Sequence, residues 1–346
     1  MKVAIVGAGI CGSVLAYELI KKQHHVTVYD KGSTEDTCSY AAAGMLAPVA
    51  ELESANTDVY DLGLRSLNLW PKILDELSQQ GASIFYRSTG TLVVAHHQDL
   101  GSFQQFSQGI RAKLPNDHQQ AVESVNVLDL EPELENFNTG LWLKHEAQVD
   151  SHQVLSALHA NIRKNGDWVC RHVRGIKPHV VDGEVYDWVF DCRGLAAKAD
   201  VPLYGVRGER LLLHAPEVNL QHMVRLMHPR YRLYIVPRED HHYVVGATEI
   251  QSADNGPVSV RSALELLSAA YSLHSGFAEA RIISMHSGVR PACLDHQPYI
   301  HIVKGLTRIN GLYRHGYLLA PAVIEKALTH PDFLFQSQGQ TDEYSI

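Results

Sequence analysis

The chain opens on a pattern that leaves its fold little freedom. Residues 2–32, "KVAIVGAGICGSVLAYELIKKQHHVTVYDKG", read as strand, glycine turn, helix, strand and acid. Residues 2–6 are a short run rich in β-branched side chains, and 13–22 carry apolar Leu15, Ala16, Leu19 and Ile20 at helical spacing. Val26, Val28 and Tyr29 form a second strand closed by Asp30. Gly7 permits the tight turn, Gly9 lets backbone approach a pyrophosphate, and Gly12 allows close packing of helix on strand. The helix N-terminus offers N–H donors to phosphate, and Asp30 stands where a carboxylate accepts ribose hydroxyls. This context predicts a bound dinucleotide and does not separate NAD from FAD.

Composition narrows the partners. The chain has 346 residues, enough for about two domains, with 45% hydrophobic and 20% charged content. A net charge of -8 argues against nucleic acid or an anionic membrane surface. Five cysteines without a CxxC pair give no disulfide framework and fit a reducing compartment. No apolar run approaches about 18 residues, so the cytoplasm is the expected location. The 21 histidines form no metal-ligand spacing, and the expectation is no metal.

Next comes "CSYAAAGMLAPVAELE" (38–53). Ala41, Ala42, Ala43 and Gly44 make a row of tiny side chains, against which a flat ligand could lie on backbone. A packed helix start is the alternative.

With the glycine turn and second-strand acid, this stretch resembles the D-amino-acid oxidase family of FAD enzymes, and within it the glycine oxidase group. "RLYIVPR" (232–238), "YVVGATEI" (243–250), "GVRPACLDHQPYI" (288–300) and "GLYRHGYLLAPA" (311–322) follow in family order. "DCRGLAA" (191–197) and "VRGERLLLHAP" (206–216) resemble the thiamine-pathway branch, which supplies the glycine imine for thiazole synthesis. The likeness is colinear over nearly the whole chain.

The resemblance implies an α/β fold: a Rossmann-like FAD-binding domain (1–80, 145–205 and 285–346) interleaved with an antiparallel-sheet substrate domain (81–144 and 206–284). Helices are expected over 60–77, 98–114, 151–164 and 261–271, and a buried strand over 185–194. It implies non-covalent FAD held by Gly7, Gly9, Gly12, Asp30, Ala42, Ala43, Gly44, Met45, Gly194, Gly311, Arg314, Gly316 and Leu318. The late loop at Gly311 and Gly316 would lead into a helix whose N-terminus faces the flavin and stabilises charge there. A bulky residue at Gly44 would then empty the flavin site and leave the protein soluble.

The implied reaction is oxidative deamination of glycine or a similar small amino acid or amine. Hydride passes to flavin N5, and oxygen is reduced to hydrogen peroxide. Such chemistry needs the substrate carboxylate pinned, which suits the planar fork of arginine. Arg290 and Arg314 are the candidates. The resemblance places Arg290 as the clamp with Tyr234 donating its hydroxyl, and Arg314 as a second active-site arginine over the flavin. Glu249 replaces a methionine of the family pattern; it would meet the substrate amine or face water, and the second is favoured. Cys293 is spaced wrongly from Asp295 for covalent flavin attachment. Thiazole synthase and further copies of the chain are the candidate protein partners. A D-amino-acid dehydrogenase passing electrons to a quinone is the alternative function, and a non-catalytic dinucleotide binder a third.

Overall fold

A computed structural model describes residues 1–32, 35, 37–228 and 233–337; Arg232, which begins the RLYIVPR stretch, lies outside them. The N-terminal strand Lys2–Val6 pairs in parallel with His25–Asp30 on one side and Trp188–Asp191 on the other. Asp167–Cys170 extends this sheet at one end, and the hairpin Tyr299–Val303/Leu306–Asn310 at the other. Val3, Ala4, Ile5 and Val6 are all buried, as a strand covered on both faces requires. Helices Ile10–Lys21, Ser151–Asn165 and Gly316–Leu328 pack together on one face through Leu15, Leu19, Val154, Leu158, Leu319 and Val323. Asp150 caps the second of these, accepting from the His152 and Gln153 amides.

The expected strand over 185–194 divides. Glu184–Val185 closes a small meander, and only Trp188–Asp191 enters the parallel sheet, before a 3-10 turn at Gly194–Ala197. The expected helix over 60–77 runs longer, as Thr57–Gln79, and continues through Pro71.

A second sheet of eight strands is antiparallel except where Thr91–Ala95 runs parallel to Met223–Met227. That pairing joins the two chain segments that contribute to it. Between the sheets, Met45–Leu46 and Tyr86–Arg87 flank Ala147–Val149 in a small third sheet, which places the Ala41–Ala43 row against both bodies. No helix among the described residues is long and apolar enough to cross a membrane.

Glu146, just before this third sheet, is fully buried and accepts the Ala50 N–H at 2.7 Å. Its Oε2 is buried without a hydrogen-bond partner. Burial pushes its carboxyl up from 4.5 to about 7. Between those values the unfolded chain ionises and the folded one does not, so stability is full below about 4.5 and lost as pH rises through 7. Glu146→Gln keeps the acceptor and removes the ionisation. Its unfolding free energy, from urea titration, should exceed that of the parent at pH 8 by about 3 kcal/mol, with the gain vanishing at pH 4.5. A gain equal at both pH values would show that ionisation is not its cause.

Candidate functional site

Two cavities meet along one trench. The first, about 320 Å³, is lined by Gly7, Gly9, Asp30, Arg193, Gly194 and Asn310 among others. The second, about 140 Å³, is lined by Ala42, Ala43, Gly44, Met45, Tyr234, Arg290, Arg314 and Leu318 among others. Ile10, Cys38, Ser39, Tyr313 and Gly316 line both.

The glycine turn explains the first cavity. A Cβ at Gly12 would lie 1.9 Å from the Gly7 carbonyl oxygen, so nothing larger than glycine lets the helix sit this close to the turn. Gly12 faces this contact and neither cavity. Asp30 accepts the Ala8 N–H (2.8 Å) and the Gly32 N–H (3.0 Å), which orients its carboxylate and leaves further lone pairs. Gly9, the residue before helix Ile10–Lys21, has no side chain to cap the helix. The first helical amide, Ile10 N–H, donates to Ser39 Oγ.

Gly316 begins the thirteen-residue helix Gly316–Leu328 at the junction of the cavities. Gly311 lines neither; a Cβ there would come 2.5 Å from Cys293 Sγ, so the position is tight against the protein itself. Gly44 departs from the expected reason for its smallness. Its φ is +71°, and a Cβ would lie 2.0 Å from the Val149 carbonyl oxygen. The constraint comes from backbone behind the row, before any ligand is considered.

The two candidate arginines differ sharply. Arg314 donates through Nε to Glu51 (2.7 Å), through Nη1 to Glu249 (3.1 Å) and through Nη2 to Ser54 Oγ. Burial alone would raise the Glu51 carboxyl, but the positive charges around it, Arg314 foremost and Arg225 with it, outweigh that and hold it at about 2. Burial pushes neighbouring His315 down to about 4, so it is neutral at pH 7. Arg314 therefore has its charge matched within the protein. Glu249 is 45% exposed and tied to Arg314, a position between the two expected for it.

Arg290 is different. It lies on strand Arg281–Ala292 and folds across Gly208 of the adjoining strand, where a Cβ would stand 2.2 Å from its Nη2. Nη1 donates to the Thr248 carbonyl at 3.2 Å, and among the described residues no carboxylate pairs with it. Tyr234 crosses Gly246 in the same manner, with a Cβ there 2.9 Å from its hydroxyl. Burial raises the Tyr234 hydroxyl above its ordinary pKa, against the opposing charges of Arg290 and Arg210, so it remains a donor. It has no hydrogen-bond partner among the described residues.

Sequence reasoning missed Gly208, Gly246, Glu51, Arg210 and Arg238. The one signal for the last two was charge inside apolar strand runs, "RGERLLL" and "YIVPR". Among the described residues no cluster of His, Cys, Asp or Glu could hold a metal.

A family model described as "FAD dependent oxidoreductase" (DAO) matches residues 2–327. A protein of Rhizobium etli, named as the thiamine biosynthesis oxidoreductase ThiO, is 37% identical and aligns over 99% of each chain. A glycine oxidase of Geobacillus kaustophilus is 28% identical over 92% of this chain and 89% of its own. The crystal structure of glycine oxidase from Geobacillus kaustophilus superposes with a TM-score of 0.82 at 26% identity, covering 99% of this chain and 96% of that one.

Proposed function

This chain belongs to the DAO family of FAD-dependent oxidoreductases, and we propose that it oxidatively deaminates glycine or a similarly small amino acid or amine. The observation that carries the substrate assignment is Arg290. A cavity arginine without a carboxylate partner, beside a half-buried tyrosine donor without an acceptor, suits the carboxylate of an amino acid.

The residues fit FAD. The Gly7–Gly9 turn, the oriented Asp30 and the 320 Å³ cavity suit its adenosine and phosphates, and the Ala41–Gly44 row with Gly316 suits a flat ring. Bound there without a covalent link, FAD would supply a two-electron oxidant, a hydride acceptor at N5 that oxygen would reoxidise with formation of hydrogen peroxide. Arg290 then fixes the carboxylate in two-pronged geometry, Tyr234 adds a donor, and together they hold the α-carbon in one orientation. Arg314, matched by Glu51 and Glu249, walls the cavity and leaves the substrate carboxylate to Arg290. The imine product is what thiamine thiazole synthesis consumes, which makes thiazole synthase the proposed partner.

Purified protein should consume oxygen with glycine and release equimolar hydrogen peroxide. After acid precipitation the yellow colour should remain in the supernatant. Turnover with a quinone but without peroxide would replace the oxidase with a dehydrogenase, and colour in the pellet would overturn non-covalent binding.

A further inference from the structure

Every carbonyl from residue 39 to residue 44 is occupied by a donor from elsewhere in the chain. Tyr317 Oη donates to Ser39 O (3.0 Å), and Arg210 Nη2 to Tyr40 O (3.1 Å). Arg210 Nε donates to Ala41 O (2.7 Å), and Ser151 Oγ to Ala42 O (2.7 Å). Arg238 Nη2 donates to Ala43 O, and the Val149 N–H to Gly44 O (2.9 Å). In a trans peptide the N–H points opposite to the C=O. Drawing the Ala41, Ala42 and Ala43 carbonyls toward these donors turns the N–H groups of Ala42, Ala43 and Gly44 the other way. None of the three has an acceptor among the described residues, and all three residues line the smaller cavity.

The charges behind this row are unusual. Arg210 is 3% exposed and has no carboxylate partner among the described residues. Its Nη2 also lies 2.8 Å from His152 Nε2, a ring nitrogen that is itself 2.9 Å from Tyr40 O. Arg238 is buried with Asp150 Oδ2 3.5 Å from its Nε. Two guanidinium groups thus stand behind one short segment, opposed by one carboxylate. A cation on a carbonyl polarises the peptide and strengthens the N–H at its other end.

We infer that Arg210 and Arg238 are positioning residues for the oxidation: they hold Ala42, Ala43 and Gly44 as a row of N–H donors, and their charge favours the electron-rich, two-electron-reduced form of the bound FAD. This rests on the FAD assignment above. Donors fixed in advance toward developing negative charge stabilise it without reorganisation, and here the fixing comes from Arg210, which also reaches the cavity wall, and Arg238, which does not line it.

The test is the midpoint potential of the purified holoprotein. Arg210→Met keeps length and loses charge and donors; its equilibrium constant for two-electron reduction should fall at least tenfold, about 30 mV. FAD binding should weaken in parallel. Arg210→Lys should recover part of the potential, because it keeps the charge but loses the fork that spans two carbonyls. A purely structural role would weaken FAD binding and leave the potential unchanged, and that result overturns the inference. Should Arg210→Met fail to fold, Ser151→Ala releases the Ala42 carbonyl alone. A smaller fall in potential there supports the inference, and no change overturns it. Wild-type protein that takes up no FAD would sink the cofactor assignment itself, a failure visible before any variant is made.

Discussion

Arg290→Ala is expected to leave FAD bound, with a near-normal spectrum, while glycine kcat/KM falls by about thirty- to several-thousandfold. The range follows from losing a charge-assisted pair in a desolvated site, about 2–5 kcal/mol by analogy with buried interfacial pairs. Arg314 cannot take over, because Glu51 and Glu249 already hold its guanidinium. Arg290→Lys should recover only part of the loss, since lysine keeps the charge without the two-pronged geometry. A carboxylate-free amine supplies the control and should be affected far less than glycine. Equal losses for both substrates would mean that Arg290 shapes the site or the flavin and does not bind the carboxylate.

The second large effect is at Gly44. Even Gly44→Ala should destabilise the protein, by about 3–5 kcal/mol, and Gly44→Leu should fail to give soluble protein. The backbone sits at φ +71°, and the added Cβ would collide with the Val149 carbonyl 2.0 Å away. That carbonyl belongs to a segment whose own N–H donates to Gly44 O, so neither strand can retreat without breaking the pairing. Urea unfolding of the FAD-free alanine variant measures this directly. An apoprotein as stable as the parent, with only FAD binding lost, would restore the simpler view that the glycine makes room for the ring.

Gly44 illustrates where sequence reasoning stops. Its smallness was legible, but two causes produce the same letter, and only the neighbour at Val149 separates them. The nucleotide unit was readable because its parts lie within 29 residues and each has a local job. Local periodicity also marked helices Ser151–Asn165 and Val260–Leu273 closely. The strand expected over 185–194 was overrun because its apolar pattern continues across a hairpin and a turn that pair with different partners.

The arginines show the same limit at greater range. Arg290 and Arg314 look alike in sequence, each near glycine in a late loop-like stretch. What separates them is Glu51, 263 residues from Arg314, together with Glu249. Arg210 reaches Ala41 across 169 residues, and Arg238 reaches Ala43 across 195. No spacing rule encodes contacts of that separation. They follow from two sheets closing on the short segment between them.

The most direct measurement is the anaerobic half-reaction. Purified protein, with oxygen removed, is mixed with glycine while its visible spectrum is followed, and sarcosine and D-alanine are tested alongside. The account predicts bleaching of the flavin band by glycine or one of these close analogues, with the colour returning when air is admitted. A yellow protein that none of them bleaches would contradict the assignment of a small amino acid or amine as substrate.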